Sequence, residues 1–549
     1  MEKIDDQRER KEFERQLRGP RALDGWFEST PWWLVSAGIH AVVLLGAALI
    51  YVERLMAVED PTIICSMKPP GPILPDLTAP PGPPGPQVGA VQQNQGPDSD
   101  EPSIFDPLAR PAKHNETDND EPWAQRKGDS NKFFGSNPGE AGGIGRQSGL
   151  VPGMHDRLGV GAKAGGGGSF GGRKGGRERL AVANEGGPST EAGVRAALFW
   201  LARHQGDDGG WGADSFPSRC VGAKCTGPGD REYDVGVTGL SVLAFLGAGY
   251  SHVSRDEERD PVDPSRVVRY GEVVKNGVRW LLNRQDPEGC VGERGVKYMY
   301  NHAIAALALS EAYGMTAAAP LRDPAQKAID FLVGAQNPAK GWRYSARSGD
   351  NDTSVTGWAV MALKSAELSD LRVPRSAYDG ALNWLVEATD KASGYAEVGY
   401  TQARTGTVVV PGKNESFMGH PAMSAVSVMS RIFIQKKKDP ALVATTLLLG
   451  DLPEWKADKI DFYYWYYGSL ALFQFDGPEG PCWRKWNEPM KNAIVPHQRK
   501  SVDGCRHGSW DPEVERWGME GGRVYAAAIN ALTLEVYYRY ANVFGGTRK

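Results

Sequence analysis

Phe331-Leu332-Val333-Gly334-Ala335-Gln336-Asn337-Pro338-Ala339-Lys340-Gly341-Trp342 is the stretch on which the fold turns. An aromatic-Leu pair is followed by Gln four residues after the Leu, then by Gly, then by an aromatic six after the Gln. The spacing recurs from Trp200-Leu201 through Gln205 to Trp211, and from Trp280-Leu281 through Gln285 to Val291. A degenerate copy runs from Trp384-Leu385 through Thr389 to Tyr395, and a stretched one pairs Gln498 with Gly508-Ser509-Trp510. Physically this is a helix that ends near the Gln, then a glycine turn that swings an aromatic back over the helix end. First helices are predicted at about 192–204, 273–284, 325–335, 376–388, 440–449 and 487–495. More apolar second helices follow at 235–249, 299–313, 353–368, 421–435, 462–475 and 523–540. Six hairpins with an amphipathic outer and an apolar inner helix predict an all-α fold, an (α/α)6 toroid over residues 191–549.

The remainder of the chain has a different composition. Of the 125 residues from Ser66 to Thr190, 25 are Gly and 17 are Pro. Such a segment buries too little apolar surface to offset its ordering entropy, so residues 53–190 are read as a disordered linker. Before it, Trp32 to Val52 is almost wholly apolar and carries Trp32, Trp33 and Tyr51 at its ends. About 20 residues span the bilayer hydrocarbon, which predicts a transmembrane helix at 32–52. Lys3, Arg8, Arg10, Lys11, Arg15, Arg18 and Arg21 precede it, so residues 1–31 are expected in the cytoplasm. The expected location is the inner membrane, single-pass, with the C-terminal domain periplasmic or extracellular. A net charge of −4 gives no electrostatic case for nucleic acid. Outside the membrane Cys220 and Cys225 are candidates for a disulfide, and Cys482 with Cys505 is a looser pairing.

Inside the predicted span Ser36 and His40 lie four apart, on one helix face. The run from Leu34 to Val43, continuing into a Pro-rich spacer, resembles the anchor of TonB-type energy-transducing proteins. That resemblance implies ExbB/ExbD-like partners; the alternative is a neutral histidine packed against a neighbouring helix. The repeats resemble the terpenoid-cyclase and protein-prenyltransferase family, squalene-cyclase-like, with Asp352-Thr353-Ser354-Val355-Thr356-Gly357-Trp358 and Thr238-Gly239-Leu240 as inner-helix starts. The resemblance implies the toroid fold, and the family includes cyclases, prenyltransferase subunits and non-enzymatic binding domains.

Each chemistry the family performs makes a demand on particular residues. Cyclases of this type protonate an alkene with an Asp-x-Asp-Asp-Thr element, against which this chain has Gly349-Asp350-Asn351-Asp352-Thr353. Asn351 stands where the acid is required, and an amide is no general acid. Asp350 and Asp352 remain as catalytic candidates, with an N-cap as the plainer role for Asp352. Prenyltransferases need zinc held by Asp, Cys and His. Asp503-Gly504-Cys505 and His507 are candidate ligands, but no later His exists to complete the set, so no metal or other cofactor is expected. Cys290 has Glu293, not Gln, three residues on, which excludes a thioester crosslink. Asp256 to Asp260 mimics a diphosphate-metal motif but reads as a solvated loop.

The inner-helix starts should open at one mouth of the toroid. They bring the ligand-cavity candidates Tyr233, Asp234, Tyr300, His302, Asp352, His420, Asp461, Tyr464, Trp465, Glu520 and Arg523. Tyr298, Asn301, Tyr463, Tyr467 and Tyr525 fall on the same starts. Aromatics with a few carboxylates and histidines suit a sugar, a peptide or a polyprenyl chain. The expected function is therefore ligand or partner binding by a membrane-anchored extracytoplasmic toroid. The rival is an enzyme of the same fold acting on a lipid or glycan, so whether the chain is an enzyme stays open.

Overall fold

Amphipathic and wholly apolar helices alternate along the chain because they occupy different layers. The computed structural model describes residues 170, 173 and 177–543, apart from 296, 395, 407, 439–441 and 541. The predicted span at 32–52, with Ser36 and His40, lies outside these residues, as does nearly all of the linker. Among the described residues no helix is long and apolar enough to cross a membrane.

Helices make up more than half of the described chain, and its strands are few. The outer helices are α2 (Pro188–Arg203), α4 (Tyr270–Leu282), α6 (Ala319–Ala335), α8 (Arg375–Glu387), α10 (Leu442–Gly450) and α12 (Pro481–Ile494). The inner ones are α3 (Asp234–Gly247), α5 (Tyr298–Thr316), α7 (Thr353–Leu368), α9 (Ala422–Gln435), α11 (Phe462–Asp476) and α13 (Gly518–Leu534). Short helices α1 (Arg177–Ala183) and α14 (Val536–Arg539) flank the set. Outer helices bury one stripe, as α8 does with Ala377, Tyr378, Gly380, Ala381, Trp384 and Leu385. Inner helices are buried on nearly every face; in α9 only Gln435 escapes burial. The helix from 523 to 540 expected from sequence is broken instead. The break falls at Glu535, between the end of α13 and the start of α14, while Gly522 at φ 65° kinks α13 just ahead of the expected start.

Packing among the inner helices is cyclic. Each of α3, α5, α7, α9, α11 and α13 packs on the next, and α13 packs on α3. Every outer helix lies against the inner helix of the preceding hairpin, so α2, the first, lies against α13, the last.

The repeat motif carries the joints. Trp211, Trp342 and Trp510 donate their indole N–H to the carbonyls of Leu201, Leu332 and Ile494, 2.7–2.9 Å away. These carbonyls lie in the last turn of each helix, where the regular i→i−4 pairing runs out. Space explains the glycine before the aromatic. A Cβ at Gly341 would lie 2.3 Å from Thr356 Oγ1, and one at Gly210 as close to the Trp280 ring. Each Gln side-chain amide donates twice, once within its own turn and once to the next outer helix. Gln205 reaches Gly209 and Val273, Gln285 reaches Gly289 and Pro324, and Gln336 reaches Lys340 and Ala377. Gln498 reaches Gly508 and, back across the chain, Gly193 in α2. In the degenerate copy Thr389 stands in place of the Gln, and the buried Arg431 of α9 donates to the Leu385 carbonyl and Thr389 Oγ1 within the same hairpin. Gln205→Leu strips two carbonyls of a donor and should cost about 1–3 kcal/mol, read as a lower midpoint in urea unfolding.

Two sequence expectations need correction here. The folded domain starts before residue 191. Phe170 is buried, Arg173 forms a buried ion pair with Glu311, and α1 and the start of α2 lie within the predicted linker. Gly-rich composition hid these anchors, whose partners are far along the chain. A Cβ at Gly314 would come within 2.7 Å of the Phe170 ring, so this glycine seats the segment. The charged insertion is not merely solvated either. Its strands β1 (Glu257–Arg259) and β2 (Val267–Arg269) form an antiparallel hairpin, and Asp260 is buried against Arg203 at 2.7 Å.

Candidate functional site

Six side chains from five elements converge at the N-terminal ends of α5, α7 and α11. Asp352 is the N-cap of α7, its Oδ1 accepting the Val355 N–H at 2.6 Å. Its Oδ2 accepts from the Tyr400 hydroxyl at 3.3 Å, and Tyr400 and Tyr344 share a hydrogen bond of 2.6 Å. The Tyr300 ring lies 5.9 Å from that of Tyr344. On the α11 side the Tyr463 hydroxyl is 2.6 Å from Ser354 Oγ, and Trp358 packs against Tyr463, Tyr466 and Tyr467. Asp352 is fully buried while Tyr300 and Tyr344 are half-buried, so phenols rim a sunken carboxyl. Burial pushes the Asp352 carboxyl up to about 7, against the pull of its hydrogen bonds and of Arg343. A groove of about 460 Å³, lined by Glu367, Arg375, Tyr378 and residues 433–437, lies beyond the C-terminal ends of α7 and α9 instead.

Of the catalytic candidates only Asp352 is placed for proton chemistry. Asp350 is exposed and paired with Arg343, and although partial burial opposes it, Ser348 and Arg343 hold its carboxyl below the ordinary range. Asn351 Oδ1 accepts from Asn337 at 3.0 Å.

The other cavity candidates disperse. His302 occupies a position equivalent to Thr238, Thr356 and Ser424, which accept the N–H of Trp211, Trp342 and Val398. Its Nδ1 accepts from Val291 N–H at 3.1 Å and its Nε2 faces the Ala328 carbonyl at 3.0 Å. Burial pushes it down to about 4, leaving a neutral ring that works as a joint. His420 bridges Asp451 and the Lys459 carbonyl and stacks on Tyr464. Burial works against its charge, yet Asp451 and Asp461 hold its pKa above the usual value. Tyr464 turns outward to the carbonyls of Leu448 and Asp451, and Trp465 is core. Arg523 is buried and ties Thr226 to Ser509, Trp510 and Asp511. Asp234 accepts the Ala213 N–H, Tyr233 accepts from Lys297, and Glu520 pairs with Lys413. Asp461 caps α11 through Tyr464 N–H, and burial raises its pKa, as it does more strongly for the neighbouring buried Glu515.

Sequence reasoning missed Tyr344 and Tyr400, which sit on turns and not on inner-helix starts. The signal was available, since Tyr344 lies two residues past Trp342 and Tyr400 two past Val398, each bringing its ring to the start of the preceding inner helix, Tyr344 to Tyr300 of α5 and Tyr400 to Asp352 at α7. Cys220 and Cys225 are not disulfide-bonded. Of the zinc candidates, Asp503 Oδ2 accepts the Lys500 N–H and the His507 carbonyl accepts from Arg203, while Cys505 points away from both toward His204.

The tyrosine-lined region thus lies within a mostly helical repeat domain. A family model of the squalene-hopene cyclase C-terminal domain matches residues 267–409, which include Tyr300, Tyr344, Asp352 and Tyr400. The squalene–hopene cyclase of Bradyrhizobium diazoefficiens is 28% identical over 188 residues, 30% of this chain and 25% of that enzyme. The chain thus spans about a quarter of the length of that relative. Among solved structures, a protein from Actinoplanes is 16% identical with a TM-score of 0.37, covering 64% of this chain and 99% of its own. A novel alpha-amylase from Clostridium perfringens is 10% identical with a TM-score of 0.42, covering 63% and 98%. Both scores are too low to bear on function.

Proposed function

We propose that the six hairpins close into a toroid that binds a ligand at its tyrosine-lined end, and that the chain is tethered outside the inner membrane by residues 32–52. One observation carries the binding reading, the buried Asp352 carboxyl among phenols, which with a pKa of about 7 keeps its proton in about half of the molecules at neutral pH. Protonating an isolated alkene takes a strongly acidic group, whereas an acid with a pKa of about 7 is a weak one. A neutral carboxyl beside Tyr344 and Tyr400 instead has one O–H to donate to a ligand oxygen, and the aromatic faces cover an apolar or sugar ring. Such an acid also has the strength to protonate an oxygen leaving group, which is what favours the enzymatic reading on a lipid or glycan. In the anchor, Ser36 and His40 are proposed to engage ExbB/ExbD-like partners, and loss of their co-purification in His40→Ala would support this.

The test uses the full chain in detergent, analysed by native mass spectrometry for retained small molecules. Retention by the native chain and its loss in Tyr344→Phe/Tyr400→Phe is the expected result. An empty native chain that also gains no mass from added polyprenyl alcohol or oligosaccharide would sink the reading. Asp352→Asn keeps the cap but cannot ionise. The native Asp352 binds a proton more tightly folded than unfolded, so stability falls as pH rises from about 4 to about 7, by on the order of 4 kcal/mol. Unfolding of Asp352→Asn should lack that slope.

A further inference from the structure

We propose that His204, Cys220, Cys225 and Cys505 bind one zinc ion in a closed, structural site. Their ligand atoms all lie within 4.8 Å of one another. The three sulfurs are 3.5, 3.7 and 3.4 Å from His204 Nε2. A tetrahedral zinc with S at about 2.3 Å and N at about 2.0–2.1 Å requires S···N edges of roughly 3.5–3.6 Å. The sulfurs therefore stand from the imidazole nitrogen as an ion would hold them, and Cys220 and Cys225 are free thiols with no bond between them.

The surroundings are built for the same purpose. His204 Nδ1 lies 2.8 Å from the Trp200 carbonyl, to which it donates, and this fixes the tautomer whose Nε2 lone pair faces the sulfurs. The ring is clamped by stacking on Trp200 at 4.1 Å and by the edge of Phe216. Backbone N–H groups of Cys225 and Val221 donate to the sulfurs of Cys220 and Cys505, which stabilises thiolates. Positive φ at Gly222 and Gly504 lets the two cysteine-bearing loops turn toward each other. Three thiolates and an imidazole favour a soft, tetrahedral ion over calcium or magnesium, and four protein ligands leave no open position for catalysis.

The location gives the ion its task. His204 follows α2, Cys220 and Cys225 lie before α3, and Cys505 follows α12, 301 residues from His204. The ion would pin the first hairpin to the last turn, where α2 meets α13.

Full-length protein purified in detergent without added metal should carry about one zinc per chain by mass-spectrometric metal analysis. Cobalt loading should give the thiolate charge-transfer and tetrahedral d–d bands. Cys505→Ser and His204→Ala should lose most of the metal, whereas Cys482→Ser should retain it. Removing zinc with a chelator from the unmutated protein should lower its melting temperature, a readout that needs no folded variant. A metal-free chain that takes up no zinc or cobalt after reduction, or a Cys220–Cys225 disulfide surviving in zinc-supplemented protein, overturns the proposal. Undiminished zinc in Cys505→Ser does so too. None of these readouts depends on the ligand assigned to the tyrosine-lined end.

Discussion

Replacing Glu311 by Gln should destabilise the folded chain by about 3–5 kcal/mol, the cost of breaking a buried ion network by removing one charge. Glu311 is fully buried in α5, with Arg173 at 2.6 Å, Arg539 at 3.4 Å and the Tyr540 hydroxyl at 2.6 Å. Ser365 of α7 donates to the same carboxylate. Gln keeps the shape and leaves both guanidiniums without the carboxylate between them. Burial alone would raise this carboxyl, yet Arg173 and Arg539 hold it down to about 2. An unfolded Glu titrates near 4.3, so the network's contribution is complete above that pH and is lost as pH falls through about 2. Its size is on the order of 3 kcal/mol. Denaturant midpoints from pH 5 to pH 2 should show a steep decline in the native chain and a shallower one in Glu311→Gln. An unchanged slope would remove Glu311 as the source of acid sensitivity.

Trp342→Ala should cost about 3–5 kcal/mol through lost burial and the cavity left behind. The indole is 1% exposed and its N–H holds the Leu332 carbonyl at 2.7 Å. Trp342→Phe keeps one of the two fused rings and removes the donor, so it should cost less, about 1–3 kcal/mol. Urea midpoints should fall in that order with similar slopes. Equal losses would mean that the hydrogen bond, not the packing, fixes the turn.

The helices were legible because their signal is local. Periodic apolar positions set α8 to within one residue at each end, and Gln336 to Trp342 marked the end of α6, although α6 starts at Ala319, six residues before the expected 325 and with Pro324 inside it. Legibility failed where partners are distant. Nothing near Arg173 announces Glu311, and nothing near His204 announces Cys505. The site was legible in part. Asp352 and Tyr300 were named from inner-helix starts, but the same rule also drew in His302 and Arg523. Residue type alone could not distinguish a joint from a lining residue, because both need a buried polar side chain at the same helical position. The completing phenols, Tyr344 and Tyr400, came from turns.

The bond from Gln498 to Gly193 has a consequence for how the domain comes apart. An open stack of hairpins frays from its ends, where a terminal unit has one neighbour and half the contacts. Here the last outer helix is stitched to the first by the same two-carbonyl device that joins Gln205, Gln285 and Gln336 to their successors. With that junction made, fraying has no preferred starting point, and a hairpin can leave only by breaking contacts on both sides. The array takes on a periodic boundary condition, so slow amide exchange should extend to the first and last hairpins.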